Sequence, residues 1–262
     1  MGLLTGKRAL IVGVGNQRSI AWGIAAAFQR EGAQLAFTYL GERFKDNVAK
    51  LVATLPGNAD MPLIDADVSK PDQLARLADE VGKKWDSLDI LVHSIAYAPT
   101  EDLRRPFHEI SRDGVLTAVD VSAYTLISLC GALAPLLEKK GEASVLALTF
   151  NAVERVVPSY NAMAVAKAAL ETCVRYLAVD LGPKNIRVNA ISAGPLKTLS
   201  ASAVKGISTA RDVWESKSPL RRNITQDEVG NVAVFLASEW SRSLTGATLY
   251  ADNGMNIVGV SE

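Results

Sequence analysis

Apolar runs of strand length recur along the chain at 8–13, 34–39, 61–65, 88–93, 143–149, 186–191 and 247–251. Between them, apolar residues return every three to four positions over 19–31, 42–55, 71–84, 110–138, 159–182 and 226–238, the period of amphipathic helices. Strands such as LDILVH and ASVLALT carry almost no polar residue, as expected of strands covered on both faces by crossover helices. The pattern predicts a doubly wound α/β fold, with seven parallel strands in one sheet and helices on both faces. No Pro/Gly/Ser-rich linker, solenoid-length repeat or low-complexity tract interrupts it, so residues 1–262 read as a single domain.

The alternation breaks once, over 192–224, where small residues mix with Leu196, Leu199, Val204 and Ile207 without deep periodicity. A long irregular stretch inside a domain of this kind reads as a lid or substrate-binding loop, and it starts where open α/β sheets bind ligands, beyond the carboxyl ends of the strands. Uncharged residues run from 121 to 137, short of the roughly 18 needed to span a bilayer, and read as a buried helix. The opening MGLLTGKRALIVG has no basic stretch before its apolar run, and position 6 is Gly where a myristoylation signal needs Ser or Thr. The expected location is the cytoplasm, away from membranes.

Composition narrows the field. The 262 residues contain 28 Lys+Arg against 28 Asp+Glu, so there is no cationic surplus to hold nucleic acid through bulk charge. With 48% hydrophobic residues the chain has material for a large core and is not of the disordered type. Cys130 and Cys173 lie in apolar helical stretches without a CxxC partner and read as reduced core thiols. The two histidines, His93 at the end of an apolar strand and His108 in RRPFHEIS, read as a satisfied structural residue and a surface residue. Ser-His-Asp and zinc chemistry therefore lack their parts, and no metal is expected.

The first strand runs into GVGNQRSIAWGIA, where Gly13, Gly15 and Gly23 surround the start of a helix that Ser19 could cap. Glycines let a ligand approach the backbone, and free N–H groups at a helix start suit a pyrophosphate. An ordinary tight turn would look similar. Strand two ends in TYLGERFKD, with neither the acidic residue that grips an adenosine 2′-hydroxyl nor an immediate Arg or Lys for a 2′-phosphate; NAD(H) is favoured over NADP(H). Asp67 in IDADVSKPDQ could accept from an adenine amino group or cap the next helix. Tyr160 and Lys167 are seven residues apart, two turns of one helix, so both face the same side. Such a tyrosine can donate to an oxygen that gains charge, and such a lysine supplies a fixed positive charge and a donor for ribose hydroxyls.

These segments, taken in order, are similar to the divergent branch of the short-chain dehydrogenases/reductases that contains the type I bacterial enoyl-[acyl-carrier-protein] reductases. The resemblance rests on GKRALIVGVGNQRSIAWGIA, FTYL, ADVS, HSIAYAP, PSYNAMAVAKAALE, IRVNAISAGPLKTLSAS, SPLRRNIT, EVGN and LTGATLYADNGMNI, and spans nearly the whole chain. The commoner branch separates Tyr and Lys by three residues; here position 164 is Ala and the lysine falls at 167. The resemblance implies a Rossmann-type domain using NADH to reduce the β-carbon of a trans-2-enoyl thioester on acyl-carrier protein in fatty-acid elongation. It implies that Gly13, Ser19 and Ile20 line the pyrophosphate, Leu40, Asp67 and Val68 the adenosine, and Ile95 the cofactor. Lys167 would hold the nicotinamide ribose, Leu196, Lys197, Thr198, Leu199 and Ser200 would close over the nicotinamide and phosphates, and Ala98 would lie by the substrate carbonyl. Tyr160 would stabilise the enolate.

Two departures stand out. Phe150 occupies a position where most bacterial relatives carry a second active-site tyrosine and mycobacterial long-chain enoyl reductases carry phenylalanine. ADNGM at 251–255 replaces an aspartate followed by two glycines, and Asn253 tolerates left-handed backbone. A carbonyl reductase of the same family and a catalytically impaired NAD-binding paralogue are the alternatives. Helices apolar on more than one face, 110–138 and 159–182, fit a homotetramer, and a basic patch at Lys197, Lys205 or Arg221-Arg222 could meet the carrier protein.

Overall fold

A computed structural model describes residues 2–57, 61–198 and 207–259. Among the described residues, seven strands form one parallel sheet in the order β3-β2-β1-β4-β5-β6-β7: β1 (Arg8–Val12), β2 (Gln34–Tyr39), β3 (Leu63–Asp65), β4 (Ile90–His93), β5 (Ala143–Thr149), β6 (Ile186–Ala193) and β7 (Thr248–Ala251). Period-2 alternation sends Ala9, Ile11, Phe37, Val92 and Leu146 to one face and Leu10, Val12, Leu91, Val145 and Ala147 to the other, and both sets are buried. The first face is covered by α1 (Ile20–Arg30), α2 (Glu42–Val52) and α9 (Gln226–Ala237), the second by α3 (Pro71–Lys84), α6 (Thr125–Lys140) and α7 (Asn161–Leu181).

Three departures from the sequence pattern have physical causes. The helix expected over 110–138 is α5 (Arg112–Val119), a π turn at Asp120–Tyr124 and α6. One extra residue in the turn lets the Ser122 hydroxyl accept from the Tyr97 N–H at 3.0 Å. The whole stretch, Arg112–Lys140, is long and apolar enough by length and composition to cross a membrane, with 39% of its most apolar window buried; the count from 121 to 137 missed this because the helix continues at both ends. The segment 192–224 contains a helix, α8 (Ile207–Lys217), whose buried anchor is Trp214. A short helix, α4 (Thr100–Arg104), follows β4, tied to α5 because Asp102 accepts from both the Ser111 N–H (2.7 Å) and its hydroxyl (2.9 Å).

The strand order reverses between β1 and β4, so a cleft opens at their carboxyl ends. Gly13 and Ser94 meet there. Gly13 has φ +107°, and a Cβ on it would lie 2.1 Å from the Ser94 carbonyl oxygen. On the outer face, α1 and α9 pack through Gly23 and Gly230 so closely that the Gly23 carbonyl oxygen lies 2.8 Å from where a Gly230 Cβ would stand. The Gln226 amide then donates to the Ser19 carbonyl at 2.6 Å, fixing the start of α1 at the cleft.

Candidate active site

Two cavities of about 400 and 210 Å³ lie along the carboxyl edge of the sheet and share Gly13, Gly15, Phe44, Ser94, Ile95 and Ala96. The smaller is flanked by Leu40, Asp67, Val68 and Thr125. The larger runs past Ser19 and Ile20 to Ala98, Leu103, Phe150, Tyr160, Met163 and Lys167, and is closed by Leu196 and Thr198. The structure thus brings together most residues picked from sequence. Lys197 is exposed and does not line either cavity, while Leu199, Ser200 and Lys205 fall outside the described residues. Phe44 was missed: an aromatic on the amphipathic α2 carries no signal that it lines both cavities.

Several sequence readings are revised. Ser19 occupies the N-cap of α1, but its hydroxyl donates to the Asn16 carbonyl at 2.7 Å instead of capping. The first N–H of that helix, at Ile20, has no partner within it, and Ile20 lines the larger cavity. Asp67 does not cap α3; it braces the turn before it, accepting from the Ser69 N–H (3.0 Å) and hydroxyl (2.7 Å). Arg222 pairs with Glu228 at 2.6 Å, and the Arg221 guanidinium donates to the Ser216 carbonyl, so these two arginines are not a free anionic-partner patch. His108 is exposed as expected, and the Cys130 thiol is buried and pushed up by desolvation. His93 is buried, yet among the described residues only one of its ring nitrogens has a partner.

Tyr160 stands at the N-cap of α7, and burial pushes its phenol pKa up, keeping it protonated. Lys167 is 4% exposed and donates from Nζ to the Leu148 carbonyl at 2.6 Å. Desolvation lowers its pKa to about 8, partly offset by the Glu171 carboxylate. At pH 7 about nine in ten molecules carry the charge. Glu171 accepts from the Thr149 hydroxyl at 2.7 Å, and burial raises its pKa. Phe150 tilts against Tyr160 with ring centroids 4.9 Å apart and stacks on Trp214 at 6.2 Å, making one wall aromatic and apolar. The site therefore offers a phenol donor, a buried ammonium and a water-poor wall.

Whether a dinucleotide fits can be read from the backbone. Gly13 and Gly15 put no side chain into the β1–α1 turn at those two positions, and the nearest atom to a Cβ on Gly15 would be a Phe44 ring carbon at 4.0 Å. Beside them stand the uncapped start of α1 and two cavities joined end to end. Helix N–H groups for a pyrophosphate, with a pocket on either side, are the parts such a ligand needs.

A sequence model of the family described as Enoyl-(Acyl carrier protein) reductase matches residues 13–256. The enoyl-[acyl-carrier-protein] reductase [NADH] FabI of Aquifex aeolicus is 46% identical over 260 residues, 99% of this chain and 95% of that protein. The FabI of Nostoc sp. is also 46% identical, over 98% of this chain and 99% of its own length. Among solved structures, the Bacillus cereus enoyl-acyl carrier protein reductase with NADP+ and indole naphthyridinone superposes with a TM-score of 0.96 at 43% identity, covering 99% of this chain and 100% of that one. The Anaplasma phagocytophilum reductase in complex with NAD gives 0.94 at 39%, covering 100% and 98%.

Proposed function

The chain belongs to the enoyl-[acyl-carrier-protein] reductase family, and from that premise we propose how it works as an NADH-dependent reductase of enoyl thioesters on acyl-carrier protein. The observation that carries the reading is the pairing of Tyr160 and Lys167 in one cavity that continues into the glycine-lined turn of β1 and α1. Gly13, Gly15, Ser19 and the Ile20 N–H would hold the pyrophosphate, Leu40, Asp67 and Val68 the adenosine end, and Ile95, Leu196 and Thr198 the nicotinamide end. When bound, NADH supplies the hydride for the β-carbon of the enoyl group.

The chain's own residues do the rest. Ala98 and Met163 position the thioester beside Tyr160. The phenol, kept neutral by burial, donates a hydrogen bond to the thioester oxygen as it gains enolate charge. The Lys167 ammonium holds the ribose hydroxyls and strengthens the phenol as a donor. Phe150 supplies shape and excludes water but donates nothing, so Tyr160 acts without the help of a second phenol; the aromatic wall with Trp214 favours an apolar acyl chain. Phe150 is the one sequence feature on the side of the impaired-paralogue alternative, and the relatives favour neither it nor the carbonyl reductase.

We propose further that residues 1–262 act as one catalytic domain with 192–224 covering the substrate, and that it is a cytoplasmic homotetramer. Exposed Leu116, Tyr124 and Ile127 on the α5–α6 stretch and Tyr176 and Val179 on α7 supply an apolar face for subunit contact, and free cysteines suit a reducing compartment. Light scattering showing a stable monomer at micromolar concentration refutes the tetramer. Purified protein is expected to oxidise NADH with a trans-2-enoyl thioester, and Tyr160→Phe to lower turnover about 10²–10³-fold. Near-normal turnover in that variant removes the phenol from its assigned role.

A further inference from the structure

Under the cleft lies an ionisable group that this chemistry does not use. His93 ends β4 and is 1% exposed. Its Nε2 is 2.8 Å from the Thr125 hydroxyl, and that hydroxyl donates its own proton to the Val121 carbonyl at 2.7 Å. A hydroxyl has one proton to give, so Nε2 carries the ring hydrogen and donates to Thr125. This network assigns the tautomer. Nδ1 is then a bare acceptor, buried, with no hydrogen-bond partner among the described residues. Burial, together with the nearby Lys167 charge, holds the imidazole pKa down to about 3, so the ring stays neutral, with its single hydrogen on Nε2 and none on Nδ1.

The sheet places Lys167 beside it. His93 is in register with Ala147 on β5, and Lys167 Nζ donates to the carbonyl of the next residue, Leu148. Both side chains lie on the face covered by α6 and α7. An ammonium has three protons, of which Leu148 takes one. Buried acceptors in polar sites are commonly satisfied by ordered water.

We propose that His93 is a positioning residue for Lys167: its bare Nδ1 accepts a hydrogen bond from the ammonium through one buried water and so holds that charge under the cleft. This rests on the role given to Lys167 above. Among the described residues, the ionisable groups facing Lys167 are Tyr160 and Glu171 from its own helix and His93 from β4. Thr125 from α6 and Leu148 and Thr149 from β5 bring only groups that do not titrate. His93 takes no proton in this arrangement; it orients and stabilises the charged form of its neighbour.

The test begins with the intact wild-type enzyme, ¹⁵N-labelled at histidine and free of cofactor and substrate. Only two imidazoles are present, His93 and the exposed His108. His93 Nδ1 is expected to keep an unprotonated signal from pH 6 to 10 in roughly unit steps, moving in one titration centred near the Lys167 pKa of about 8. A protonated Nδ1, or a signal flat across that range, overturns the proposal. Two variants add a kinetic reading: His93→Gln keeps a donor for Thr125 but nothing at the Nδ1 position, whereas His93→Asn puts an amide there. The basic limb of the rate profile is expected to fall by about one unit in His93→Gln, the equivalent of one charge-assisted hydrogen bond, and to be restored in His93→Asn. Identical limbs in both variants overturn the proposal. The NMR titration is independent of turnover, so a protein that shows it yet reduces no enoyl thioester refutes the functional reading and leaves this one standing.

Discussion

Replacing Gly13 by alanine tests whether the cleft is built on the contact between the ends of β1 and β4. The new Cβ would sit 2.1 Å from the Ser94 oxygen and 2.6 Å from its carbon. Both are backbone atoms, so no rotamer change relieves the overlap. Ser94 is itself held, donating from its N–H to the Val12 carbonyl at 2.9 Å. An L side chain at φ +107° adds strain of about 1–3 kcal/mol, and wedging packed backbone apart costs about 1–3 kcal/mol more. The expected loss is therefore about 2–6 kcal/mol, or about 4–12 °C in Tm for a chain of this size. Urea unfolding measures it, with Gly15→Ala as the control. A Cβ at Gly15 would meet only a Phe44 ring carbon at 4.0 Å, and that variant should stay within about 0.5 kcal/mol of the parent. Equal stability of the two variants would show that the strand ends do not meet as described.

The basic limb of kcat/KM for the free enzyme is expected near pH 8, because Lys167 is charged below its lowered pKa and neutral above it; a profile flat to pH 10 contradicts this. The same lysine acts on stability with the opposite sign. Between about 8 and its ordinary 10.5 the folded state binds fewer protons than the unfolded state, so this group makes the fold more stable as pH rises through that window, measurable by urea titration. Thr149→Val strips the buried Glu171 carboxylate of its 2.7 Å donor; a loss of about 1–3 kcal/mol is expected, and no loss would mean that solvent reaches Glu171. Glu228 pairs with Arg222 and completes the capping box of α9 with Thr225, and its pKa is lowered to about 2. Glu228→Gln should cost about 0.5–2 kcal/mol at pH 7. The difference from the parent should be fully present above about pH 4.3, the unfolded glutamate value, and vanish as pH falls toward 2.

The fold was legible because parallel strands buried on both faces leave unbroken apolar runs, and the crossovers between them keep helical period. Tyr160, Lys167 and the glycine turn were legible because their spacing is local. What escaped depends on partners distant in sequence. Thr125 settles the tautomer of His93 from 32 residues away, and Asp102 is claimed by Ser111 through a pairing that needs the α4–α5 loop already closed. Glu228 removes Arg222 from the apparent basic patch only because α9 starts at Gln226. Trp214, the aromatic neighbour of Phe150, sat unnoticed in a segment too rich in small residues to show a period.

The π turn at Asp120–Tyr124 gives this part of the chain something like a reading frame. Each residue added to or taken from a helix turns everything beyond it by about 100°. In the present frame Leu126, Leu129 and Leu133 face the sheet and Thr125 meets His93, while Ile127 looks outward. Shortening the turn by one residue would swing Thr125 from the imidazole and rotate the leucines out of the core, without altering the identity of a single residue in α6. Descendants of this sequence are thus free to vary the letters of the helix within its apolar pattern, but not to change their number between the cleft and the sheet.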